Sequence, residues 1–282
     1  MLPRLATLGL FLSISGCAKK EASIDTTAAT APQPNVVTFT ARDFAFTTPD
    51  TIPGGLTTLV FKNEGPNLHH VQLFRLTEGK TVADLAEGMK TMKPTDPPPP
   101  WLLLAGGVGA PAIGGEVSAI VDLEPGNYAV LCMIDTPDRV PHFAKGMMKA
   151  LTVSAAPAMA AAPPAADVTV TLKDYTFTFS TPLTAGHHVI KVDNAGTQPH
   201  EVVLVKLAPG KTAADMAKWA ETYKGDFPGT PMGGTASVGP AMSQYAPVDL
   251  TPGDYLAICY APDVKDGKSH VAHGMVQPFT IS

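Results

Sequence analysis

The sequence predicts an all-β protein made of two β-sandwich domains in tandem. Three observations lead to this prediction: the two halves of the 282-residue chain align with each other, each half opens with alternating β-branched residues, and its apolar segments are separated by proline and glycine turns. Alternation places one face of a strand against a core, and frequent tight turns are typical of antiparallel sheets. Each half has about 120 residues, which is enough to bury a core of its own.

The chain begins with a segment that is typical of export. Residues 1–17 read MLPRLATLGLFLSISGC, with one positive charge at Arg4 and an apolar run that is too short to span a bilayer. The end of this segment, Ile14 to Cys17, resembles the lipoprotein box of bacteria, in which the cysteine is acylated and becomes the first mature residue. We therefore expect a protein that is lipid-anchored at Cys17 to the bacterial cell envelope, on the periplasmic or the outer surface. An ordinary secretory signal is the alternative.

Composition divides the rest of the chain into two domains and two connections. Residues 18–35 are small and polar and contain proline, which is typical of a flexible tether. An alanine- and proline-rich tract at 154–166 is predicted to be a linker. The predicted domains are residues 36–153 and 167–282.

Two pairs of segments show that the halves are copies of one module. A period this long indicates the duplication of a whole domain rather than a solenoid of small repeats. The matching pairs are FKNEGPNLHHVQLFRL (61–76) with VDNAGTQPHEVVLVKL (192–207), and VDLEPGNYAVLC (121–132) with VDLTPGDYLAIC (248–259).

One short helix is predicted in each half. Thr81 and Thr212 each offer a hydroxyl N-cap with an acidic residue three positions later, and helix-forming residues continue to about Met89 and Tyr223. Methionine and tryptophan on such helices are predicted to pack against the core rather than to bind a ligand. In the first half, the proline run at 97–100 and the glycine-rich stretch at 106–115 are predicted to form a long surface loop.

Charge and cysteine content narrow the function classes. Removal of residues 1–16 takes away one positive charge, Arg4, and changes the net charge from −5 to about −6. Nucleic acid is therefore not expected as a partner. With Cys17 acylated, Cys132 and Cys259 remain, and export would permit a disulfide between them. Because both occupy the same place in their repeats, we favour metal ligands over a disulfide.

Each half also carries two histidines, one cysteine and one methionine in the same order. Two imidazoles, a thiolate and a weak thioether form the ligand set of a type 1 copper site. A single set could arise from structural histidines and a buried cysteine, whereas two sets at matching positions favour copper. The predicted ligands are His69, Cys132, His142 and Met147 in the first half, and His200, Cys259, His270 and Met275 in the second.

The segments around these residues resemble the cupredoxin family, which includes plastocyanin and azurin. NAGTQPHEVVL (194–204) is similar to the plastocyanin segment that opens a strand with a proline-histidine pair, and PHFAKGMMKALTV (141–153) and SHVAHGMVQPFTI (269–281) are similar to the C-terminal ligand loop. The resemblance covers both halves and implies two tandem Greek-key sandwiches that each bind up to one type 1-like copper ion. The expected function is electron transfer or copper handling with a redox protein or a copper donor or acceptor as partner.

Some features depart from the family pattern. Nine residues separate Cys132 from His142 and ten separate Cys259 from His270, so these loops are long. The position after the first histidine holds His70 in one half and Glu201 in the other. His273 lies between two predicted ligands and is a competing donor. We expect electrons to leave through exposed edges of His142 and His270.

Two other functions are alternatives to electron transfer. A copper enzyme of the nitrite reductase or oxidase type needs a further copper centre wired through a histidine beside the cysteine, but Leu131 and Met133 flank Cys132, and the chain has no His-x-His pair. We therefore expect that the chain is not an enzyme. The remaining alternative is a metal-free binding or scaffold module of an envelope complex, for which the predicted ligand side chains would lie splayed apart.

Overall fold

A computed structural model describes residues 31–93 and 95–282. Residues 32–282 form one compact unit that contains both halves of the repeat. The predicted signal segment, the acylation at Cys17 and nearly all of the tether lie outside the described residues, and they stay predictions. Within the described residues, no helix is both long enough and apolar enough to cross a membrane.

The first half is a sandwich of two sheets. One sheet has the order β2-β1-β4-β7 and the other has the order β3-β9-β8-β5-β6. The elements are β1 (Asn35–Arg42), β2 (Ala45–Thr47), β3 (Thr51–Pro53), β4 (Gly55–Asn63), β5 (Val71–Leu76), α1 (Val82–Met89), β6 (Leu102–Val108), β7 (Glu116–Leu123), β8 (Gly126–Leu131) and β9 (Met148–Ser154).

The second half repeats this arrangement. Its sheets have the orders β11-β10-β12-β15 and β14-β13-β16-β17. The elements are β10 (Val168–Lys173), β11 (Thr176–Phe179), β12 (Gly186–Asn194), β13 (Val203–Leu207), α2 (Ala213–Thr222), β14 (Gly229–Gly234), β15 (Ser243–Leu250), β16 (Gly253–Ile258) and β17 (Val276–Ile281). The predicted fold class, two tandem Greek-key sandwiches with one short helix each, is confirmed.

Alternating sequence produces the sandwich cores. In β1, Val37, Phe39 and Ala41 are buried and the residues between them face outward or are half-buried. The first strand of the second half, β10, buries Val168 and Val170 in the same way. Because successive side chains of a strand point to opposite faces, this pattern turns one face of each strand inward.

Both predicted helices are present and are capped as expected. The Thr81 side chain accepts a hydrogen bond from the backbone N–H of Asp84, and the Asp84 carboxylate accepts one from the backbone N–H of Thr81. Thr212 and Asp215 form the same reciprocal pair on α2. The helix methionines and tryptophan pack against apolar clusters, as predicted: Met89, Met216 and Trp219.

The long surface loop predicted in the first half is wrong in part. Residues Leu102–Val108 form β6, which pairs with β5 and ends at the buried Val108. The prediction of a loop rested on the glycines, but Gly107 is needed for close packing of the strands. Its φ is 149°, and a Cβ atom there would lie 1.9 Å from the carbonyl oxygen of Val71. Gly234 of β14 meets the carbonyl of Val202 in the same way.

The two halves meet along β6, β7, β14 and β15. A β7–β15 pair at Ile120 and Tyr245 joins one sheet of each half into a continuous eight-stranded sheet. The buried Gln72 side chain accepts a hydrogen bond from the Ser237 backbone N–H at 2.8 Å and donates to the Ser237 carbonyl at 3.3 Å. No helix or strand is assigned to residues 155–167 between the halves. The exact domain and linker boundaries stay predictions.

Candidate metal centres

The predicted ligands of the first half meet at one end of the sandwich. His69 lies just before β5 and Cys132 just after β8, and these two strands pair with each other. A 3-10 turn, His142–Lys145, then returns the chain so that Met147 lies beside Cys132 at the start of β9. The strand pairing thus brings together residues that are far apart in the sequence.

The second half assembles its predicted ligands from equivalent elements. His200 precedes β13, Cys259 follows β16, and a second 3-10 turn begins at His270. Met275 precedes β17, which pairs with β16. The two sets of four residues therefore occupy equivalent places in the two sandwiches.

In both clusters, ring nitrogens and a sulfur atom face one another. In the first, the Nδ1 atoms of His69 and His142 lie 3.0 Å apart, and Cys132 Sγ lies 4.0 Å and 3.4 Å from them. In the second, the corresponding distances are 3.0 Å between the nitrogens and 3.9 Å and 3.2 Å from the sulfur. Each trio is buried, and its ligand atoms lie within 4.8 Å of one another.

These distances fit a single metal ion bound by all three atoms. With bonds of about 2.0–2.1 Å to nitrogen and about 2.3 Å to sulfur, two nitrogens of a tetrahedral site are about 3.3 Å apart. Two imidazoles and one thiolate are borderline and soft donors, which suit an ion that alternates between Cu(I) and Cu(II). Copper is the cofactor that this donor set indicates. The splayed arrangement expected for a metal-free module is not observed.

The predicted methionine ligands lie beside the cysteines of their sets. Met147 and Met275 are fully buried. The backbone N–H of Met147 donates to the carbonyl oxygen of His142 at 3.0 Å, and the N–H of Cys132 donates to the carbonyl of Met147 at 3.3 Å. Each methionine belongs to the same apolar cluster as the cysteine of its set. The assignment of all eight side chains as copper ligands stays a prediction.

Two aspartates that we did not predict orient the first histidine of each set. His69 Nε2 donates to Asp43 Oδ1 at 2.7 Å, and His200 Nε2 donates to Asp174 Oδ1 at 2.9 Å. A carboxylate bound to one ring nitrogen keeps the proton there and leaves the other nitrogen free to bind a metal. The signal was present in the sequence, because ARDFAF (41–46) and LKDYTF (172–177) align within the repeat.

The residues after the first histidines link the ligand-bearing strands. His70 Nε2 accepts a hydrogen bond from the backbone N–H of Met133 at 3.0 Å, and Glu201 Oε1 accepts one from the N–H of Tyr260 at 2.8 Å. Each donor is the residue that follows the cysteine. Burial lowers the pKa of His70 to about 3 and raises that of Glu201 to about 7. These side chains hold the two strands together beside the metal centre.

Burial also sets the protonation of the donors. It lowers the pKa of both His142 and His270 to about 4, so that these imidazoles are neutral and able to bind a metal at pH 7. Burial raises the pKa of the Cys132 thiol to about 12 and that of Cys259 well above its ordinary value. Both cysteines are free, so the alternative of a disulfide between them is not observed.

The expected exposed histidine edges are absent. The side chains of His142 and His270 are buried, with 2% and 0% of their surface exposed. An aromatic ring from the turn after the first strand of each half packs edge-on against them: Phe44 at 5.1 Å from His142 and Tyr175 at 5.5 Å from His270. The sequence expectation missed these rings because they come from a distant part of each half.

His273, the competing donor, stands outside the second cluster. Its Nε2 atom lies 3.1 Å from Asp266 Oδ1, and the residue is exposed. It belongs to a separate group with Asp263 and Asp266, whose ligand atoms all lie within 4.8 Å of one another. The group of His200, Cys259 and His270 does not include it.

The two clusters lie on either side of the contact between the halves. Val71, two residues after His69, pairs with Val108 of β6, which bridges to Thr235. The backbone N–H of Thr235 in turn donates to the carbonyl of Val202, two residues after His200.

Comparisons with known proteins give matches among solved structures. No protein-family description matches the chain, and no curated protein matches it. Auracyanin A, a "blue" copper protein of Chloroflexus aurantiacus, is 17% identical over 43% of this chain and 100% of its own, with a TM-score of 0.31. A copper-containing nitrite reductase of Thermus scotoductus is 12% identical over 89% of this chain and 62% of its own, with a TM-score of 0.26. A blue copper oxidase of Nitrosomonas europaea is 15% identical over 89% of this chain and 86% of its own, with a TM-score of 0.27.

These matches agree with the cupredoxin-like fold and correct one expectation. We expected from the sequence that the chain is not an enzyme. Proteins described as a nitrite reductase and an oxidase are among the structures similar to 89% of the chain. The expectation that excluded an enzyme is wrong.

Proposed function

We propose that this protein is an envelope-anchored, copper-binding electron-transfer protein with one type 1-like site in each half. The observation that carries the proposal is the duplicated, buried cluster of two Nδ1 atoms and one Sγ atom. Two such clusters at equivalent positions, each with a buried methionine beside the cysteine, would supply the donor set of a type 1 centre twice.

The way in which the ligands are held suits electron transfer. In each half the first histidine and the cysteine are attached to paired strands, and the second histidine is fixed by backbone hydrogen bonds of the 3-10 turn. Rigid ligands limit the movement that accompanies a change of oxidation state, so a transferred electron meets a small reorganisation barrier. When copper is bound, it supplies the one-electron chemistry, and the protein supplies fixed ligands and exclusion of water.

The surface over each second histidine is the proposed docking face for a redox protein partner. Phe44 and Lys145 cover His142 in the first half, with Lys145 Nζ 5.7 Å from the Phe44 ring centroid. In the second half, Tyr175 lies between His270 and His273, 5.2 Å from the His273 ring. An electron would reach a partner through these rings rather than through a bare imidazole edge. A copper donor or acceptor would approach the same faces.

Anchoring at the envelope is supported by the sequence of residues 1–17. The apolar run and Cys17 at its end indicate acylation and attachment to a membrane. Labelling of expressing bacteria with a radioactive or clickable fatty acid tests this part of the proposal. We expect label on the wild type and none on Cys17→Ser, and label retained by the variant would contradict anchoring at this residue.

Stepwise removal of the two thiols tests copper binding. On loading with Cu(II), Cys132→Ser and Cys259→Ser should each lose one of the two intense visible bands, and the double variant should lose both. Cys17→Ser, expressed without the membrane anchor, is the matched control and should keep both. Equal absorbance in wild type and double variant would show that the colour does not come from these thiolates.

A further inference from the structure

The surroundings of the second histidine differ between the two halves. Alignment at the ligands pairs Tyr175 with Phe44, and Asp263 with Thr136. The backbone N–H groups of Thr136 and Asp263 make equivalent contacts across their loops, donating to the carbonyls of Val140 and Lys268 respectively. The second half thus has a carboxylate where the first half has an uncharged hydroxyl.

Asp263 is a buried anion that is stabilised by uncharged donors. Only 1% of its side chain is exposed. Its carboxylate accepts hydrogen bonds from the Tyr175 hydroxyl, from Gln198 Nε2 at 3.0 Å and from the backbone N–H of Lys265 at 2.8 Å. Hydrogen bonds to the charged form, the Tyr175 hydroxyl foremost, hold the pKa of Asp263 well below its usual value. None of these donors carries a formal positive charge, so they do not neutralise the negative charge of the carboxylate.

This carboxylate faces the second histidine of the cluster. Asp263 Oδ2 lies 3.8 Å from His270 Nε2, a fully buried atom that has no hydrogen-bond partner among the described residues. The opposite nitrogen, Nδ1, points at Cys259 and His200. A metal bound at Nδ1 leaves the proton on Nε2, directed into the space beside Asp263.

The first half presents an ion pair in the corresponding region. Lys145 Nζ lies over the Phe44 ring, which covers His142, and forms an ion pair with Asp138 at 2.8 Å. The Thr136 hydroxyl lies 2.7 Å from the carbonyl oxygen of Val140 and also contacts the Asp138 carboxylate, and it brings no charge of its own. The two centres therefore share their predicted ligands and differ in the charge beside the second histidine, as well as in the His70 and Glu201 side chains that follow the first.

We infer that Asp263 gives the copper site of the second half a lower reduction potential than the site of the first half. The inference rests on the proposed function. A nearby negative charge favours the oxidised ion, which carries one more positive charge, and a buried charge acts through a low effective dielectric. Both halves have the equivalent Asp43 and Asp174, so these cancel in the comparison.

The difference gives the two sites distinct tasks. In a protein that holds one electron for two coppers, the electron resides at the first site. If the two potentials differ by 59 mV, the one-electron exchange constant between them is tenfold. A partner that docks at the second half would therefore deliver an electron that comes to rest in the first.

Reduction potentials of single-site proteins test the inference. The Cys132→Ser variant shows only the second thiolate band and Cys259→Ser only the first, so each potential is read from the bleaching of one band during spectroelectrochemistry. We expect the second site to be lower by at least 59 mV, which is a tenfold exchange constant. Equal potentials, or a lower value for the first site, would overturn the inference. A chain that takes up no copper would instead overturn the proposed function.

Three further variants, made in the Cys132→Ser protein, assign the effect to Asp263. Asp263→Asn should raise the potential of the second site by an amount equivalent to at least a tenfold change in exchange constant. Tyr175→Phe keeps the carboxylate and removes one donor to it, so it should lower that potential further. Asp266→Asn, at an exposed neighbouring carboxylate, is the control and should leave it unchanged. A rise in all three variants would show a general disturbance of the site and would overturn the role of Asp263.

Discussion

His200 and His270 bring their Nδ1 atoms to 3.0 Å although they are 70 positions apart in the chain. The sulfur of Cys259 lies beside both. Neutral imidazoles gain little from such an approach without a shared proton or a metal ion between them. Since the first half repeats the arrangement at the same spacing, the geometry is a property of the duplicated module.

Removal of an orienting carboxylate should weaken copper binding at one site. Asp43→Asn replaces the acceptor of the His69 Nε2 proton, and Asp174→Asn does the same for His200. Loss of such a partner costs about 10–100-fold in metal affinity. Competition with a chelator of known affinity measures it. Asp50→Asn, at an exposed acid paired with Lys149, is the control and should bind like the wild type.

Removal of the covering rings should expose the second histidines to small reagents. Phe44→Ala should speed the reduction of the first site by a bulky inorganic reductant, and Tyr175→Ala should speed that of the second. Stopped-flow bleaching of the visible band, recorded in the single-site proteins, gives the rates. Each change should leave the other site unaffected. Unchanged rates in both variants would mean that electrons enter by another face.

The metal-free protein should lose stability on acidification. The pKa of His142 and of His270 is about 4 in the folded chain, below the unfolded value of about 6.5. The unfolded chain therefore binds more protons between these two values, and the free energy of unfolding falls as pH drops through that range. Thermal unfolding at pH 7, 5.5 and 4.5 measures this. His142→Gln should flatten the pH dependence, and a slope equal to that of the wild type would contradict the assignment.

Close packing where the halves meet should not tolerate a side chain at Gly107. A Cβ atom would lie 1.9 Å from the Val71 carbonyl oxygen, at a φ that other residues rarely adopt. We expect Gly107→Ala to lower the free energy of unfolding by at least about 3 kcal/mol. The matched control is Gly88→Ala in α1, where a Cβ meets nothing within 4 Å. That change should be neutral or stabilise by up to about 1 kcal/mol. Urea denaturation compares the two.

Much of the fold could be predicted from the sequence because each strand and helix pattern occurs twice, once in each half. Alternation predicted strands such as β1, and the reciprocal pairs of Thr81 with Asp84 and Thr212 with Asp215 predicted both helices. The strand β6 was missed because its glycines resemble a loop. Their role becomes visible only when the carbonyl of Val71 is in place beside Gly107.

The sequence predicted the clustered histidines and cysteines of the candidate sites, but it did not predict the side chains that surround them. Order and spacing singled out His69, Cys132 and His142 as predicted ligands, and the structure brings these three side chains together. Asp43 lies 26 positions before its partner His69, and Phe44 lies 98 positions before His142, against which it packs. No local sequence pattern connects either residue with its partner. Comparison of the aligned halves at these positions is the signal that would have found them.

Copper content and the visible spectrum of the soluble fragment from Ala18 onward test the central claim most directly. After Cu(II) loading and removal of free metal, the account predicts two copper ions per chain together with intense visible absorption from two thiolate-bound centres. A fragment that is folded by circular dichroism but stays colourless and free of copper would contradict it.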